Sequence, residues 1–152
     1  IYEKTSYPSN KGGFEKAFLE FLDIDSKVLK FIKILEFKHD FATISYFRDD
    51  GLMASYYPDF MIETQKNIYL VETKSDKDLK DTNVKQKQKS TIDFIKRINN
   101  LSEELREFKT WAYLLLGETQ FYSLVKSGAD IEDLANSSKM NESIITGSLL
   151  DI

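Results

Sequence analysis

The stretch YYPDFMIETQKNIYLVETKS, Tyr56 to Ser75, holds two strand-like runs around a short polar turn, and its second run, IYLVETK, is apolar on both alternating faces. Such a run marks a strand covered on both sides, because successive side chains face opposite ways. Yet Asp59, Glu72 and Lys74 lie within this hairpin, where charge carries a large desolvation penalty unless it is paired.

With Gln65 and Lys66 as a two-residue loop, paired residues sum to 131 and Asp59 faces Glu72, their Cβ atoms about 5 Å apart. A three-residue loop would make the two acids diagonal neighbours instead. Lys74, two residues beyond Glu72, points to the same face. Opposed carboxylates repel, and a divalent cation would remove that penalty. Oxygen ligands at this spacing suit Mg²⁺, which uses one or two carboxylates and keeps water or phosphate in its shell. Lys74 could then position a water or stabilise charge on phosphorus. The plainer alternative is an interstrand salt bridge of Lys74 to Glu72 or Asp59.

The remaining elements frame this hairpin. GGFEKAFLEFLD, Gly12 to Asp23, places Phe14, Ala17, Phe18, Phe21 and Leu22 at helical spacing. At about 100° per residue Glu15 falls inside that apolar arc and Glu20 outside it, so Glu15 faces inward, as a further ligand or as a side chain at the core margin. Residues 26–34 read either as a short helix or as the start of a strand. FATISYF, Phe41 to Phe47, reads as a strand running into a turn at Asp49 to Gly51, with a further strand over Leu52 to Thr64 and another over Asn67 to Lys74. A helix capped by Thr82 or Asn83 should cover Val84 to Leu101, placing Lys87 and Gln88 near its N-terminal end where they could support the site or a bound phosphate. Thr110 to Gly117 reads as a central strand, Thr119 to Lys126 as a helix, and a short helix is expected near Asp130. The expectation is an α/β fold with a mixed central sheet flanked by helices, in the order helix, three-strand meander, helix, strand, helix.

Composition narrows the chemistry. A chain of 152 residues with 41% hydrophobic content supports one domain, expected over residues 1–135, followed by a polar and loosely ordered tail over 136–152. No cysteine and a single histidine, His39, leave oxygen as the ligand for any metal, and His39 itself reads as structural. The net charge of −4 is uneven: Lys74 to Arg97 holds eight basic and four acidic residues, a local excess of four positives. No apolar run is long enough for a membrane span, no signal-peptide core is evident, and Ile1 in place of Met suggests a piece of a longer chain. There is no phosphate-binding GxxxxGK[ST] segment.

Pro58-Asp59 followed by Glu72-Thr73-Lys74 resembles the PD-(D/E)xK nuclease signature, with Glu15 matching the additional acid on the first helix. The phrases FEKAFLEFLD, FKHDF, YYPDFMI, IYLVETKSDKDLKD, WAYLLLG and FYSL are similar, in this order, to the C-terminal endonuclease domain of type III restriction enzyme restriction subunits. The resemblance implies a cytoplasmic, Mg²⁺-dependent deoxyribonuclease, with Mn²⁺ as substitute. Asp59, Glu72, the Thr73 carbonyl and Glu15 would be its ligands and Lys74 its catalytic lysine. It also implies DNA as partner, an ATP-dependent helicase or translocase on the same polypeptide and a methyltransferase subunit. An inactive nuclease-fold binding module and a repair or recombination nuclease are the alternatives.

Overall fold

The computed structural model describes residues 12–36 and 38–139. Helix α1 (Gly12–Ile24) forms as its apolar spacing requires: Phe14, Phe18, Phe21 and Leu22 are buried, while Lys16 and Glu20 pair on the solvent side. The chain then enters β1 (Lys30–Lys33), which settles the ambiguity of residues 26–34 in favour of a strand. The hairpin β2 (Ile44–Phe47) and β3 (Met53–Tyr56) follows, closed at Gly51, whose φ of 81° suits glycine. Next come β4 (Phe60–Glu63), β5 (Asn67–Lys74), α2 (Thr82–Asn99), β6 (Thr110–Gly117) and α3 (Glu118–Lys126). Residues 131–139 are again helical.

The central sheet has the order β1-β4-β5-β6, antiparallel as far as β5, with β6 parallel to β5. A parallel pair needs a long crossover, and α2 supplies it. β5 is therefore an inner strand with both faces covered. Tyr69 and Val71 pack with Phe18, Phe60, Phe121, Ile131 and Leu134 on one side. Leu70 packs with Ile44, Tyr56, Ile95 and Tyr113 on the other. The mixed sheet flanked by helices is thus the fold expected from the sequence.

Three local readings need correction. The span Leu52 to Thr64 is two strands in two sheets, β3 and β4, because Pro58 lacks the N–H that would continue a ladder. Consequently β1, and not FATISYF, is the first antiparallel neighbour in the central sheet, and Phe41 lies in a single 3₁₀ turn at Asp40–Ala42. The cap of α2 is Asp81, whose carboxylate accepts from the Asn83 N–H at 2.7 Å. Packing also continues beyond Ala135: residues 136–139 are helical and Ser138 is buried. The rest of the expected tail, 140–152, and the first eleven residues lie outside the described residues.

One aromatic cluster ties α1 to the sheet and to α3. Phe18 is fully buried, with its ring 5.2 Å from Phe60 and 5.6 Å from Phe121, both edge-on. Removing it leaves a cavity at the junction of three elements. Phe18→Ala should lower the unfolding free energy by about 3–5 kcal/mol in denaturant titration.

Candidate active site

The expected register holds through β4 and β5: Phe60 faces Val71 and Glu63 faces Ile68, each pair summing to 131. At Asp59 the ladder changes. Its N–H donates to the carbonyl of Val71 at 2.9 Å, the same residue that Phe60 faces, so Asp59 slips out of strict opposition to Glu72 in the manner of a bulge. Its carbonyl accepts from the Ile34 N–H at 2.8 Å, which fixes its backbone from β1 as well. The side chain then reaches Thr73, where Oδ2 accepts from the backbone N–H at 2.7 Å and from Oγ1 at 2.8 Å. The carboxylate thus takes a donor that a strand carbonyl would otherwise use.

Glu72 is buried, with 3% exposure, on the α2 side of β5. Its Oε1 accepts from Lys74 Nζ at 2.7 Å, and its Oε2 is enclosed without a hydrogen-bond partner among the described residues. The salt bridge expected as the plainer alternative is therefore present, but it satisfies only half of the carboxylate. Burial, reinforced by the charge of Asp59, pushes Glu72 up to about 7 from an ordinary value of 4.5. Burial likewise raises Asp59, against the lowering effect of its Thr73 hydrogen bonds. For Lys74, burial alone would lower the pKa, but the charge and hydrogen bond of Glu72 outweigh it, so the ammonium is held above its usual range.

Glu15 faces inward as its helical position requires and pairs with Lys33 of β1. It lines a cleft of about 460 Å³ together with Asp59, Thr73, Lys74, Asp78 and Glu118. Four carboxylates against one ammonium make this a strongly acidic opening at the carboxyl ends of β5 and β6, where Lys74 and Gly117 lie side by side. Lys33, Asp78 and Glu118 are site residues that the sequence did not reveal. The parallel pairing that brings the residue after Gly117 beside Lys74 has no local signature. The loop beyond Lys74 is anchored there by Asp76, which accepts from the Thr119 N–H at 3.2 Å and contacts the Thr119 hydroxyl. Gly117 keeps the approach close, since a Cβ would stand 2.7 Å from Leu79 Cδ1.

Lys87 lies 5.2 Å above the Tyr56 ring and 5.6 Å above that of Tyr46, and its charge favours the ionised form of Glu72. Gln88 is half-buried on α2 and is not among the residues lining the cleft. His39 has a local structural role: its Nδ1 accepts from the Leu35 N–H at 2.9 Å, closing the turn before β2.

As a metal centre the arrangement is incomplete but suitable. Among the described residues no three Asp, Glu or His side chains form a ready ligand cluster. The enclosed, unpartnered Oε2 of Glu72 and the neighbouring Asp59 nevertheless match a cation that takes one or two carboxylates and fills its shell with water and phosphate.

The mixed sheet flanked by helices is consistent with a PD-(D/E)xK nuclease-like fold. The model of the family described as TnsA-like endonuclease N terminal matches residues 32–140, and the chain belongs to that family. Neither the curated proteins nor the solved structures compared with it contain a significant match. Its family makes the chain an endonuclease-like domain with DNA as the implied substrate class. No helix among the described residues is long and apolar enough to cross a membrane.

The raised pKa of Glu72 sets a pH dependence of stability. The folded state holds the proton more tightly than the unfolded chain, so stability falls as pH rises from about 4.5 to about 7. The upward shift of Asp59 acts in the same direction. With metal chelated, thermal unfolding at pH 5 and pH 8 should show a loss on the order of 3 kcal/mol attributable to Glu72, and Glu72→Gln should remove most of it.

Proposed function

We propose that this domain is a metal-dependent endonuclease that hydrolyses DNA phosphodiester bonds at the acidic cleft. The observation that carries the reading is the buried Glu72 carboxylate, with one oxygen on Lys74 and the other unpartnered, beside Asp59. Asp59 and Glu72 would hold Mg²⁺ or Mn²⁺, with Glu15 as a further carboxylate and the Thr73 carbonyl as a backbone ligand. A bound cation would supply Lewis acidity, lowering the pKa of water and offsetting phosphate charge. Without a cation, the four carboxylates of the cleft would repel a phosphodiester.

The residues divide the remaining work. Thr73 holds Asp59 in one orientation through two hydrogen bonds. Lys74 stays protonated at neutral pH because Glu72 raises its pKa, so it acts as a hydrogen-bond donor and charge stabiliser at the scissile phosphate and not as a base. Lys33 balances Glu15 at the cleft margin. The charge of Lys87 helps to keep the Glu72 carboxylate ionised for a metal.

The restriction setting belongs to the same proposal. In it the domain is cytoplasmic, works behind a helicase or translocase and assembles with a methyltransferase subunit, as the resemblance of its sequence phrases implies. The family match supports the nuclease chemistry on which that setting depends. A nuclease-fold binding module without activity is the second reading, favoured by the lack of a ready three-acid cluster among the described residues.

Conversion of supercoiled plasmid to nicked and linear forms separates the two. The expected result is cutting that requires Mg²⁺ or Mn²⁺, stops on chelation, and falls at least about 100-fold in Asp59→Ala and Lys74→Ala. Cutting that survives both substitutions would reject this site, and an absence of cutting by wild-type protein that still binds DNA without metal would favour the binding module.

A further inference from the structure

A second opening, of about 590 Å³, lies between the β2–β3 hairpin and the outer face of α2. Lys89, Lys96 and Arg97 line it from the helix, at spacings that place them along one side, and Asp93 is the carboxylate among them. α2 as a whole has five basic residues and one acidic residue in a chain of net charge −4. The hairpin contributes Tyr46, Phe47 and Met53 to the opposite wall. Phe47 and Met53 are cross-strand partners, and they remain 60% and 67% exposed.

We propose that this groove binds a single-stranded, unpaired segment of the DNA substrate, with phosphates on Lys89, Lys96 and Arg97 and a base stacked on Phe47. This rests on the nuclease reading of the acidic cleft and assigns that substrate a second point of contact. Three cations along a helix suit any phosphate backbone. The exposed Phe47–Met53 pair is what selects the single strand, because bases within a duplex present no open face to an aromatic ring, whereas an unpaired base does. The groove shares no wall with the acidic cleft, and Lys87 links the two. Tyr46 lines the groove and holds Lys87 over its ring, and Lys87 in turn acts electrostatically on Glu72. A strand in the groove would pass along α2 towards the end of β5.

The test is binding of fluorescent single-stranded and duplex oligonucleotides in chelator, so that neither metal nor cleavage contributes. The wild-type protein should bind the single strand more tightly. Lys96→Glu with Arg97→Glu should weaken that binding by at least tenfold and reduce its salt dependence, with the slope of log K against log salt falling by about 0.7 for each contact removed. Phe47→Ala should weaken single-strand binding by about tenfold and leave the duplex unaffected. All three residues are exposed, and circular dichroism would verify that the variants fold. Wild-type affinity in the charge-reversed variant, or a preference for duplex that Phe47→Ala leaves intact, would overturn the proposal. The nuclease reading fails separately, by plasmid cutting that is insensitive to Asp59→Ala.

Discussion

The burial of Glu72 at the end of an inner strand constrains the rest of this structure. An ionised carboxylate with 3% exposure is tolerated only if its charge is met from close by, and Lys74 meets it from one side only. The other oxygen faces no donor among the described residues. This is an energetic debt within the fold, and the rise of the Glu72 pKa to about 7 is its direct expression. A domain stabilised for its own sake would place Leu or Val at this position of β5, as it does at Leu70 and Val71.

The architecture explains how the debt is held in place. β5 pairs with β6 along its whole length and with β4 over Ile68 to Val71, and beyond that point the Asp59 side chain takes the place of a strand partner at Thr73. Asp59 is fixed by backbone hydrogen bonds to Ile34 and Val71, and its carboxylate by Thr73. The parallel neighbour β6 ends at Gly117 beside Lys74, and α3 starts there with Glu118. Open α/β sheets bind their ligands outside the carboxyl ends of parallel strands, and the acidic cleft lies at such a place. The two cores on either side of the sheet therefore serve to hold a few polar atoms against their own repulsion.

Much of this was legible in the sequence, for identifiable reasons. Helix α1 and the inward position of Glu15 follow from periodicity alone, and the register of β4 and β5 follows from a two-residue turn. Alternation along β5 also accounts for Glu72 and Lys74 sharing a face, whereas the slip of Asp59 off the ladder and onto Thr73 does not follow from it. What was illegible depends on tertiary pairing. β1 is four residues long and alternates exposed with half-buried positions, a weak local signal, yet it is the strand that holds Asp59. The break at Pro58 divides an apparently continuous strand between two sheets. Glu118 reaches the cleft through the parallel adjacency of β5 and β6, which no short-range pattern encodes, and Asp78 reaches it from the turn that follows β5, where it contacts Ser75. The groove beside α2 exists because the β2–β3 hairpin leaves the central sheet, and the net charge of the chain conceals it.

Compensation of the Glu72 charge by a divalent cation shared with Asp59 is what the proposed chemistry requires. Calorimetric titration of the protein with Mg²⁺ and Mn²⁺ between pH 6 and pH 8, beside Glu72→Gln, addresses it without relying on catalysis. The wild-type protein should bind the metal with proton uptake by the buffer below about pH 7 and with affinity that rises with pH as Glu72 loses its proton, and Glu72→Gln should bind little or none. Metal affinity that is absent at pH 8, or that is the same in Glu72→Gln, would contradict it.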